Sequence, residues 1–206
     1  MTGQELKTFV ETIVDSNIDE EAFLVLLNTA KDKLEGERDW SFLQVLDSSQ
    51  SVTSSAIALP TTIPYSRTLS LYVGSIPYHQ IPFEQSKMLA NSAQRWYLDL
   101  RNSCYYILGN AQGTINHFYI WKTPDITLAT SPVFDSRYHK VLAFECAELF
   151  YALDGGERGR SWDDKWAIQK RVLKNAMVDW DVALNRRASE NAVPVDYEPE
   201  ISVGNL

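Results

Sequence analysis

The side chains most able to do chemistry gather in one stretch, YHKVLAFECAELFYALDGGERGRSWDDKW, from Tyr138 to Trp166. It holds His139, Cys146, the glutamates Glu145, Glu148 and Glu157, a glycine cluster and the pair Asp163 and Asp164. A thiol beside an imidazole makes a nucleophile, paired carboxylates bind metals, and glycine-rich loops cradle phosphate. Spacing argues against each use here. On one helix, His139 and Cys146 stand two turns apart, about 10 Å along the axis, too far for a hydrogen bond. His139, Leu142, Cys146, Leu149, Phe150 and Leu153 share one side of a helical wheel, so Cys146 sits mid-stripe among apolar neighbours. Burial there raises a thiol's pKa and leaves it inert. GGERGR follows a helix rather than a strand and lacks the Lys-Ser/Thr ending of a phosphate loop, so Gly155 or Gly156 reads as a helix terminator. Ser161 and Asp164 stand three apart, as in a capping box that opens the next helix.

Elsewhere, His79 and His117 fall outside zinc-site spacings, and no CxxC, HExxH, GxSxG or P-loop occurs. The expectation is therefore no catalytic residue, no metal ligand and no bound cofactor. A small hydrolase acting through Cys146 or His139 is the remote alternative.

Those residues need elements to hold them. The helical wheel gives helices at residues 3–15 and 19–36, the second with Phe23, Leu26, Leu27, Ala30 and Leu34 on one face, Asp19 as its cap and Gly36 at its end. Trp40 and Phe42 then open an extended region. From about 40 to 130, short β-branched and aromatic runs alternate with turn signals. Strands are expected at 51–58, 66–73, 78–81, 95–100, 104–108, 115–121 and 126–129, with LRNSC and LGNAQGT as hairpin turns and a short helix in FEQSKMLANSA. From Asp135 the pattern is helical again, with one helix to about Asp154 and another from about Trp162 to Arg187. In the latter, Trp162, Trp166, Leu173, Met177, Trp180 and Leu184 form a core-facing stripe. Helices, a β insert and a helical pair make an α+β fold: a helical bundle with an inserted antiparallel β-sheet lobe and an extended C-terminal tail. Residues 1–187 read as one domain and 188–206 as the tail.

Composition narrows the function classes. Hydrophobic residues make up 45% of the 206, enough for a real core. The formal net charge of −8 disfavours a protein that grips nucleic-acid phosphates. Two cysteines make no disulfide framework and fit a reduced compartment. The N-terminus shows no signal-peptide pattern, and no run of apolar residues is long enough to span a membrane.

One more feature stands out in the opening stretch. Phe144 and Tyr151 lie opposite the Cys146 stripe, so that helix is apolar on two sides. Either it sits at the centre of the bundle or it meets another subunit.

Three stretches together carry a family likeness: NTAKDKLEGERDWSFL; RTLSLYVGSIPYHQIPFEQ with RWYLDLRNSCYYILGNAQGTINHFYIWKTP; and LATSPVFDSRYHKVLAFECAELFYALDGG with WDDKW and MVDWD after it. Over residues 20 to 187 the chain resembles the head-to-tail adaptor (connector) proteins of tailed bacteriophages, which form the neck ring beneath the portal. One departure is Asp135, where the family pattern leads one to expect proline; Asp135 is then expected to cap the helix itself. The resemblance implies a structural virion protein located in the neck and, during assembly, in the host cytoplasm. Its implied partners are further copies of itself in a ring of twelve, the portal protein, and a tail or stopper protein. Double-stranded DNA would pass along the channel without specific binding, and no membrane is involved. The tail residues Val195, Tyr197, Ile201 and Val203 become candidates for the portal interface, and Phe144 and Tyr151 for the subunit interface. A stopper or tail-terminator ring is the nearest alternative, disfavoured by the long final helix.

Overall fold

The computed structural model describes residues 1–52, 56–58, 68–88, 94–99, 101–102, 104–109, 112–154 and 164–190. Four helices and a seven-stranded mixed sheet make an α+β fold. The expected portal contacts Val195, Tyr197, Ile201 and Val203 lie outside the described residues, as do GGERGR and Ser161. Among the described residues no helix is long and apolar enough to cross a membrane.

The helices are α1 (Gly3–Val14), α2 (Glu20–Gly36), α3 (His139–Asp154) and α4 (Asp164–Glu190). Each of the first three starts where a side chain satisfies backbone N–H groups. Thr2 and Glu5 form a reciprocal capping box on α1. Asp19 accepts from the N–H of Glu21 and Ala22 at the start of α2. Asp135 accepts from the N–H of Arg137, opening a 3-10 turn at Ser136–Tyr138 that runs directly into α3. The acid standing in place of proline thus caps the turn. α4 ends at Glu190, so residues 188–190 are helical and not part of the extended segment.

α3 is the hub, packed against α1, α2 and α4. Every residue from Val141 to Ala147 is buried, whichever way it points. A helix buried all round needs apolar residues all round, which explains the two-sided pattern. α1 contributes Leu6, Val10 and Ile13; α2 contributes Phe23, Leu27, Ala30 and Leu34; α4 contributes Met177.

The strands are β1 (Gln44–Ser51), β2 (Ala56–Ala58), β3 (Thr68–Val73), β4 (Ile76–Gln80), β5 (Arg95–Asp99), β6 (Cys104–Leu108) and β7 (Thr114–Ile120), in sheet order β1-β7-β3-β4-β5-β6-β2. Neighbours are antiparallel except β4 and β5, which run parallel through His79↔Arg95 and Gln80↔Trp96. The lobe is therefore mixed, not purely antiparallel. A parallel pair cannot be joined by a hairpin turn. LGNAQGT is likewise no hairpin turn, because β7 pairs with β1 and β3 and not with β6. The tight turn is at Gly74, whose φ of 60° suits glycine and lets Val73 face Ile76.

β6 and β7 have three strands between them in the sheet order, yet the rings of Tyr105 and His117 lie 5.5 Å apart. The sheet must curl on itself to bring them together. Its inner face encloses a second core of Leu71, Val73, Trp96, Tyr105, Ile107, Ile115 and Tyr119. An aromatic corner joins lobe to helices: Phe42 meets Trp40, Phe134 and Trp180 at ring separations of 5.5, 5.6 and 5.8 Å.

Two expected elements differ. The strand at 51–58 is two strands, with β1 beginning seven residues earlier at Gln44, behind a 3-10 turn at Ser41–Leu43. Residues 126–129 form no strand. They lie over the start of α1, where the Gly3 and Gln4 N–H groups donate to the carbonyls of Thr130 and Leu128 at 2.8 and 2.9 Å. Asn28 clamps Ile126 from the other side, accepting from its N–H and donating to its carbonyl.

Candidate functional site

The most highly charged place in the helical body surrounds Glu145, which the hub position of α3 carries into the interior. Its side chain is 0% exposed, but Lys33 of α2 and Lys170 of α4 each reach it at 2.8 Å, and Lys174 at 3.4 Å. Glu148, one turn on, takes a second contact from Lys170 at 2.6 Å, and Lys174 reaches Glu37, just past the end of α2, at 2.6 Å. Burial alone would push the Glu145 carboxyl up. The hydrogen bonds from Lys170 and Lys33 and the nearby lysine charges outweigh burial and hold its pKa at about 2. The cluster ties α2, α3 and α4 into one rigid unit. The signal was present in the sequence: Lys170 and Lys174, like Lys33 and Glu37, stand four apart and share a helix face.

A second buried acid fastens the helices to the lobe. Asp181 of α4 is 0% exposed and accepts from the Ser41 N–H at 2.7 Å and the Ser41 hydroxyl at 2.5 Å, with the Arg38 guanidinium 3.4 Å away. It fixes the chain where it leaves α2 for β1.

The residues whose types could do chemistry lie in packed surroundings. Cys146 is 0% exposed, and burial pushes its thiol up to about 12. His139 is buried. Its Nε2 donates to the Phe134 carbonyl at 2.8 Å, and Nδ1 faces the Met1 amino group at 2.8 Å, so neither ring nitrogen is directed at Cys146. Burial lowers the His139 pKa, partly offset by the Phe134 hydrogen bond. His117 sits between Ile115 and Tyr119 on β7, where strand alternation turns it inward. It is 1% exposed; Nε2 meets the Thr68 hydroxyl at 3.0 Å, Nδ1 has no hydrogen-bond partner, and burial lowers its pKa to about 4.

Within the chain, Phe144 and Tyr151, the candidates for a subunit interface, pack against α1 and α4. Phe144 is 3% exposed, with the Phe9 and Trp166 rings each 5.9 Å away. The half-buried Tyr151 donates its hydroxyl to the Ile13 carbonyl at 3.3 Å. The second apolar face of α3 exists because α1 packs on it. Leu153, expected in the core stripe, is 78% exposed.

Outward-facing apolar groups occur at other places as well. One groove, of about 630 Å³, lies between α2 and the C-terminal half of α3; Val25, Leu26, Phe150 and Leu153 line it, with Asp19 and Glu21 on its rim. Another, of about 480 Å³, lies among α1, α3 and α4; Phe9, Trp166, Ile168 and Val172 line it, Phe144 contributes its wall, and Lys140 stands at the edge with its ammonium 4.9 Å over the Phe9 ring. A third apolar patch, Leu46, Leu69 and Phe118, covers the outer face of β1, β3 and β7. The first two grooves draw on residues of α3 roughly 130° apart at 3.6 residues per turn.

No protein-family model matches the chain, and no curated protein matches it.

Proposed function

We propose that this chain is a head-to-tail adaptor of a tailed bacteriophage: a structural protein whose copies form a ring between portal and tail and prolong the DNA channel. The observation that carries this reading is the pair of unlike apolar grooves on different sides of one rigid helical bundle. A two-fold dimer needs one self-complementary patch, whereas a closed ring needs two different surfaces that fit each other. The interlocked Glu145 cluster favours a part that bears load between larger bodies. The net charge of −8 favours a channel along which DNA slides. The β lobe, with its own core and its exposed Leu46, Leu69 and Phe118, would meet the tail or stopper protein. The C-terminal segment, with Val195, Tyr197, Ile201 and Val203, would dock on the portal. The helical mass, with α4 of 27 residues, favours an adaptor over a stopper or tail-terminator ring.

The test is the mass of the assembly, by native mass spectrometry, with and without the portal protein of the same particle. The adaptor reading predicts monomers or weak oligomers alone and a ring of about twelve copies, the number the family likeness implies, on the portal. Monomers that persist beside the portal would remove it.

A further inference from the structure

We infer that the two grooves of the helical body are the two halves of one contact between copies: the Ile168–Val172 ridge of α4 in one copy packs into the α2–α3 groove of the next. This inference deepens the ring reading and rests on it.

The apolar groups concerned face outward. Val25 is 63% and Leu153 78% exposed in the first groove; Ile168 is 51% and Val172 61% exposed on the ridge. Ile168 and Val172 stand four apart and so form a row along α4, the shape that fits between the rows of a second helix. Charge selects the pairing. Among the described residues the first groove is lined by the carboxylates Asp19 and Glu21 and by no cation. Among the described residues the second is lined by Lys140 and by no carboxylate, and the exposed Arg171 stands next to Val172. First groove on first groove would set acids against acids, and ridge on ridge would set bases against bases. Only ridge on groove covers apolar surface with opposite charges at the rim. Because the grooves lie on different sides of α3, each copy that uses one keeps the other free. The contact is therefore head-to-tail and propagates from copy to copy.

The test uses Val25→Cys and Val172→Cys in the full chain, singly and together; the native Cys104 and Cys146 are buried and do not compete. Under mild oxidation at high protein concentration, an equal mixture of the two single variants should give disulfide-linked dimer at about tenfold the yield of either alone, the yield ratio that a 1.4 kcal/mol preference sets. The double variant should give a ladder of trimers and larger species. A dimer formed as readily by one single variant alone would overturn the inference. So would a mixture that gives no linked product while circular dichroism shows both variants folded. In the Val172→Cys background's parent chain, Val172→Glu should abolish self-association and Val172→Lys should preserve it; equal loss from both would overturn the charge pairing. A ring on the portal without this cross-link would sink the contact and leave the neck reading standing. The cross-link without portal binding would do the reverse.

Discussion

Glu145→Gln keeps the shape of the side chain at the centre of the lysine cluster and removes its charge. The wild-type carboxyl has its pKa held at about 2, against an ordinary 4.5. Its folded-state pKa is depressed, so the stabilisation is complete above about pH 4.5 and fades as pH falls toward 2. At about 1.4 kcal/mol per pKa unit, the ionised form contributes roughly 3.4 kcal/mol at pH 7 and roughly 1.4 kcal/mol at pH 3. Glutamine stands in for the protonated acid at every pH. Glu145 is 0% exposed, but its partner Lys33 is 46% exposed and partly screened by water. The expected loss is therefore about 2 to 3 kcal/mol at pH 7 and less than half of that at pH 3. Urea unfolding of both proteins at the two pH values, followed by far-UV circular dichroism, measures it. A loss below about 0.5 kcal/mol at pH 7, or one of equal size at pH 3, would refute the claim that this carboxylate holds α2, α3 and α4 together.

The buried His117 takes up its proton only near pH 4 in the fold. The unfolded chain takes it up near pH 6.5, so stability should fall between those values, by about 2 kcal/mol at pH 5. His117→Phe should remove that part of the fall in urea midpoints between pH 7 and 5; an unchanged fall would contradict the assignment. Gly3→Ala would bring a Cβ within 2.2 Å of the Thr127 carbonyl oxygen. Residues 127–130 must then shift off α1, and a thermal melt should show a loss of about 2 kcal/mol, an unaltered melting temperature counting against the close approach. Cys146 should resist iodoacetamide in the native protein at neutral pH and react on unfolding; fast native alkylation would bring back a thiol chemistry for this helix.

Much of the helical part was legible because local chemistry states it. Asp19 caps α2 where its place before the apolar stripe says it should, Asp135 caps the 3-10 turn that leads into α3, and the Phe23–Leu34 stripe is buried as its periodicity requires. Of the stripe expected on α4, Met177 is buried and Trp166, Leu173 and Trp180 pack beside it, Leu184 lies by Leu46 and Phe118, and Trp162 is outside the described residues. For Phe144 and Tyr151 a wheel shows that the helix has a second apolar face but not that α1 returns to pack on it. The parallel pairing of β4 with β5 and the pairing of β7 with β3 depend on contacts distant in sequence, which turn residues do not encode. Residues 126–129 looked like a strand because β-branched residues at Ile126 and Thr127 fit extended backbone; what claims them is the start of α1. The outward apolar groups Val25, Ile168 and Val172 were invisible for a related reason: periodicity gives the angle of a residue about its helix, not which angles remain uncovered.

The proposed ring is made by head-to-tail contact between copies at the neck of a tailed particle. A reconstruction of that neck by electron cryo-microscopy is its test. A closed ring of this chain is expected between portal and tail, with the Ile168–Val172 ridge of each copy against the Val25 groove of its neighbour. A neck that lacks this chain, or one in which its copies do not touch one another, would contradict it.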